Sequence, residues 1–165
     1  MRILFSGLVA VGLLTSHIAA AQCVRPADNA AFDVTGLKTK LMVTALTCHA
    51  DERYNAFIAK YRPDLVAQDK SLNSYFSRAY GRAATKRHDD YITQLANSQS
   101  QAGLQQGTLF CDRNVGIFEE VMALRSGSEL SDFAAAKALA QPVSLTNCGA
   151  TPERAPARAA SRRRS

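Results

Sequence analysis

Four cysteines, Cys23, Cys48, Cys111 and Cys148, constrain this chain more than any other feature. What they do depends on compartment, and the N-terminus speaks to that. "MRILFSGLVAVGLLTSHIAAAQC" sets Arg2 ahead of an apolar run from Ile3 to Leu14, followed by small residues at Ala19, Ala20 and Ala21. This is the order of a secretory signal peptide, here assigned to residues 1–21. The run is short for a bilayer span, and no later segment approaches the roughly 20 apolar residues that a membrane helix needs. A periplasmic or secreted protein beginning near Gln22 is expected. Lipidation at Cys23 is the competing reading, and Gln22 argues against it because that processing wants a small residue there.

An oxidising compartment turns an even cysteine count into a disulfide framework. The spacing holds no C-x-x-C pair, which argues against structural zinc, and "TCHA" lacks the second cysteine of a haem attachment site. Three pairings are open. Cys48 and Cys111 lie on helical apolar stripes, whereas Cys23 and Cys148 lie in irregular ends. The favoured arrangement is therefore nested, Cys48 with Cys111 inside Cys23 with Cys148. Each bridge closes a long loop, worth about 4 to 5 kcal/mol on the chain-entropy account.

Helical spacing dominates what lies between. Leu37, Leu41, Ala45 and Cys48 line one face of a helix expected to start after Gly36. Asp51 either caps a second helix or is an exposed mid-helix residue, with Tyr54, Phe57, Ile58 and Tyr61 continuing the apolar face, and Pro63 sets a boundary. Leu65, Leu72, Phe76 and Ala79 give a third, closed at Gly81. A fourth runs from about Ala83 to Gln101 on Ala84, His88, Tyr91 and Leu95, with 103–107 as a turn. The polar stretch "ANSQSQ" then belongs to that helix rather than to a linker.

Cys111, Val115, Phe118 and Met122 mark a buried helix that ends at "RSGS". Ser128 or Ser131 caps a short alanine-rich helix stopping at Pro142. With no strand-like alternation, the expected fold is all-α: one disulfide-stabilised bundle of five or six helices over residues 22–150.

The charge is uneven. Residues 22–150 hold 14 Lys or Arg against 13 Asp or Glu, so the net +6 arises mainly from a tail at 151–165, read as disordered. Arg154, Arg158, Arg162, Arg163 and Arg164 suit either an anionic envelope surface or solubility alone. Nucleic acid is not an expected partner for an exported chain.

"RHDDY", residues 87–91, is the one catalytic-looking cluster. Its His88–Asp89 step resembles that of secreted phospholipases A2, in which the histidine activates water and the aspartate binds calcium. The resemblance lacks the cysteine a few residues before the histidine and the glycine-rich calcium loop, so hydrolysis would lack its electrophile. The plainer reading sets His88 at the edge of an apolar face with Asp89 and Asp90 in water. His49 reads as a surface residue. Tyr54, Phe57, Tyr61, Tyr75, Phe76 and Tyr80 read as core before they read as a ligand groove. No serine, cysteine or lysine has a marked partner base, and no cofactor motif is present.

Three segments, "LMVTALTCHADERYNAFIAKYRPDL", "LNSYFSRAYG" and "HDDYITQLANSQSQAGLQQGTLFC", give residues 37–124 a resemblance to a group of secreted proteobacterial proteins with no attached activity. It implies a bacterial periplasmic setting and supplies no substrate. The function expected from the sequence is a non-enzymatic binding or envelope-associated protein, partnered by an envelope component or protein. A small hydrolase using His88 and Asp89, or a periplasmic chaperone or stress protein, is the alternative.

Overall fold

The computed structural model describes residues 23–148. Residues 1–21, read from the sequence as a signal peptide, and residues 151–165, read as an arginine-rich tail with Arg158, Arg162, Arg163 and Arg164, lie outside the described residues. Seven helical segments follow in order: α1 (Pro26–Cys48), α2 (Asp51–Lys60), α3 (Arg62–Tyr80), α4 (Ala84–Gln106), α5 (Phe110–Asn114), α6 (Gly116–Ala123) and α7 (Gly127–Ala136). Because α2 abuts α3 at Tyr61 and α5 abuts α6 at Val115, they form five arms. The fold is all-α, and among the described residues the only bridge of β type is an isolated one between Val24 and Asn147.

Cys23 pairs with Cys148 and Cys48 with Cys111, the nested arrangement. Beside the outer bridge, Cys148 N–H donates to the Val24 carbonyl and Val24 N–H to that of Thr146, both at 2.9 Å. The two ends of the described chain are thus clipped side by side.

The central element is α1, and it starts at Pro26, eleven residues before Leu37, where its apolar stripe begins. Pro26 stands at the first helical position, where its missing N–H costs nothing. Asp28 then accepts from Arg25 N–H at 2.7 Å, satisfying a donor that the helix start would leave orphaned. Asp28 is buried and also takes the Arg78 guanidinium at 2.6 Å, which ties the start of α1 to the end of α3. At the other end, His49 adopts a left-handed conformation (φ 53°) and Ala50 N–H donates back to the Ala45 carbonyl.

Two apolar clusters flank α1. One gathers Val34, Leu37, Leu41 and Ala45 with Phe57, Tyr61 and Leu65 of α2–α3, Phe118 and Val121 of α6, and Leu130 and Ala134 of α7. The other gathers Ala31 and Phe32 with Leu72, Tyr75 and Phe76 of α3 and Tyr91 and Leu95 of α4. In the second, Phe32 meets Tyr75 and Tyr91 edge-on with ring centroids 5.0 and 5.1 Å apart, the arrangement that aromatic quadrupoles prefer.

Several boundaries differ from the sequence expectation. The fourth helix runs on to Gln106, because Gly103 packs inside it against the Phe110 ring; Gly107 (φ 56°) is the stop. The stripe from Cys111 to Met122 is broken at Val115 into two short helices. The cap of α7 is Ser126, whose hydroxyl accepts from Glu129 N–H, while Ser128 and Ser131 lie within the helix. That helix ends at Ala136, ahead of Pro142. The following segment returns over α1, where Gln141 donates to the Phe32 carbonyl and accepts from the Tyr91 hydroxyl.

Candidate functional site

At the seam between the two apolar clusters lies a cleft of about 310 Å³. Four helices build it, three of them with residues at same-face spacing: Lys38, Thr39 and Met42 from α1, Asp69 and Asn73 from α3, and His88 and Ile92 from α4. Tyr54 of α2 closes one side. Tyr54 packs on the first cluster and Ile92 on the second, so burying each core fixes one wall.

Two charged groups face the cleft and they face each other. Lys38 Nζ donates to the two Asp69 oxygens at 3.0 and 3.4 Å. Burial raises the Tyr54 hydroxyl above its ordinary pKa, and the Asp69 charge adds to that, so the phenol stays protonated. Thr39 is 95% buried, and its hydroxyl has no hydrogen-bond partner among the described residues. The sealed, unpartnered hydroxyls of this helix are those of Thr35 and Thr44; the Thr39 oxygen is not sealed, so water can hydrate it until a ligand takes that place.

His88, singled out by sequence, belongs to this cleft; Asp89 does not. The imidazole meets the Phe76 ring edge-on at 5.3 Å, which orients it. Its Nδ1 lies 3.5 Å from Asp89 Oδ1, but the Asp89 side chain is 70% exposed and turned to solvent, so the pair forms no buried dyad. No group of three His, Cys, Asp or Glu side chains among the described residues could hold a metal ion. His49 is exposed. Phe57, Tyr61, Tyr75 and Phe76 are core and Tyr80 stacks on Phe76, leaving Tyr54 as the aromatic of that set that lines the cleft.

A larger hollow, about 430 Å³, lies beside the outer disulfide. Its amides satisfy each other, since Asn29 donates to Asn147 at 2.7 Å. Asp33 and Asp132 are its carboxylates, and burial raises the Asp33 pKa. Two carboxylates alone specify no ligand. The smaller cleft has the more varied and more convergent chemistry.

Sequence reasoning missed Lys38, Thr39, Asp69 and Asn73. The pairs 69/73 and 88/92 do show helical spacing, but only the packing of α1, α3 and α4 sets them on a common space. Among the described residues no helix is long and apolar enough to cross a membrane. The chain matches no family model, no curated protein and no solved structure.

Proposed function

We propose that this is an exported binding protein of the bacterial envelope that holds a small molecule in the cleft between α1, α2, α3 and α4. One observation carries the reading: Thr39, a buried residue whose hydroxyl has no partner among the described residues, lines a cleft with an ion pair, a phenol and an imidazole on its walls. Small-molecule sites have this make-up, largely apolar walls with a few convergent polar groups. The signal-like N-terminus and the disulfide framework support export.

Binding is favoured over hydrolysis because the cleft offers His88 no adjacent nucleophile with a base behind it, and Asp89 faces water. The test is an NMR screen of the exported chain against a small-molecule library. Ligands should shift Tyr54, Asn73, His88 and Ile92 resonances together. Turnover of an ester or phospholipid that disappears in His88→Ala would overturn the reading, as would a library that perturbs no cleft resonance.

A further inference from the structure

Resting on the reading of this cleft as a binding site, we infer that its ligand is an uncharged, hydroxyl-rich ring molecule, a neutral saccharide unit. Charge comes first. Lys38 and Asp69 neutralise each other across the cleft at 3.0 Å. An anion would meet the Asp69 carboxylate and a cation the Lys38 ammonium, so an ionic ligand must compete with a pair already made. A neutral ligand need not break it. The ammonium keeps donor hydrogens beyond those used on Asp69, and the carboxylate keeps lone pairs. Two adjacent hydroxyls of one ring can therefore accept from Lys38 and donate to Asp69 while the pair persists.

The remaining polar groups are of matching kind. The Thr39 and Tyr54 hydroxyls, the Asn73 carboxamide and the His88 imidazole each combine donor and acceptor capacity, as an alcohol does. Thr39, Tyr54 and Asn73 make no side-chain hydrogen bond to another described residue, and the His88 imidazole has only the 3.5 Å approach of its Nδ1 to Asp89. Between them, Met42, Ile92 and the Tyr54 ring offer apolar surface to the C–H face of a sugar ring. The volume, about 310 Å³, is at the small end for ligand sites and suits a single ring with its substituents.

The experiment titrates the full exported chain, isotope-labelled, with glucose, N-acetylglucosamine, glucosamine and glucuronate, at low and at high salt. The neutral sugars should shift the cleft resonances, with N-acetylglucosamine distinguishing an acetamido sugar from a plain hexose. Their affinity should be insensitive to salt. Thr39→Val, which removes the hydroxyl and keeps the shape, should weaken binding about tenfold, as should Asn73→Ala at an exposed position that leaves folding intact. Tighter binding of glucosamine or glucuronate through the same resonances would overturn the saccharide assignment and leave the binding site standing. Binding of neutral sugars unaffected by both substitutions would also overturn it. If none of the four compounds shifts a cleft resonance, the assignment falls; if the library screen is also blank, the binding site falls with it.

Discussion

The Tyr61 hydroxyl donates to the Val121 carbonyl at 2.7 Å, deep in the first apolar cluster. Val121 lies in the last turn of α6, where carbonyls lose their intrahelical partners. Lys60 covers the neighbouring ones, donating to Met122 at 2.6 Å and Leu124 at 2.8 Å. The α2–α3 junction thereby serves as the C-terminal cap of a helix about sixty residues away in sequence. Tyr61→Phe keeps the ring and leaves the Val121 carbonyl buried without that donor. Urea unfolding should show a loss of about 1 to 2 kcal/mol with an unchanged m-value.

Replacing the inner bridge, Cys48→Ala with Cys111→Ala, opens a loop whose ends are 63 residues apart. A loss of about 4 kcal/mol is expected, less if the unfolded chain stays compact. Mass spectrometry of the native protein should find no free thiol at the four cysteine positions.

Acid stability should depend on Asp28. Burial pushes its carboxyl upward, but the Arg25 amide and side chain and the Arg78 guanidinium outweigh that and hold it below the ordinary aspartate range. A carboxyl depressed in the folded state contributes stability above its unfolded pKa and loses it as pH falls through the folded one. Asp28→Asn should cost about 2 kcal/mol at neutral pH and flatten the acid limb of the stability profile. Asp33 has the opposite sign. Burial raises it, so its contribution is present below its unfolded pKa and lost as pH rises through the folded one. Asp33→Asn should therefore stabilise the neutral protein, by about 0.5 kcal/mol.

Gly103→Ala would place a methyl group 3.0 Å from the Phe110 ring, which must then shift. Phe110 also carries the Lys40 ammonium 4.8 Å from its ring centre. Thermal unfolding should report a loss of about 1 to 3 kcal/mol, the usual cost of overpacking, despite alanine's better helix propensity.

A substitution at the end of α1 should also help. His49 holds φ at 53°, a conformation that a β-carbon disfavours, at the exposed end of α1. His49→Gly is expected to raise the unfolding midpoint, by about 0.5 to 1 kcal/mol in free energy, without touching the cleft.

The helical faces were legible in sequence because apolar residues at three- and four-residue spacing leave few other ways to be buried. The break before Pro63 and the stop at Gly81 were legible for a similar reason, local backbone chemistry. The start of α1 was not read, since Asp28, Asn29 and Asp33 make the first turns look polar. Only the structure shows Asp28 buried against Arg78. Gly103 looked like a turn because a glycine's packing role depends on Phe110, which arrives from another helix. A signal for the α7 cap was present in Ser126 and Glu129, the spacing of a capping box. In the cleft, the sequence pointed to His88, for a different chemistry, and to Tyr54, as one of six aromatics read first as core. The others come from positions 38 to 92 and carry no shared local pattern.

The outer bridge joins residues 23 and 148 with their Cα atoms only 4.9 Å apart. Tension applied at residues 23 and 148 would pass through that one covalent link, and the helices between would bear no load. Tethered at one end and pulled at the other, the bundle would keep its cleft intact for as long as the link stays oxidised.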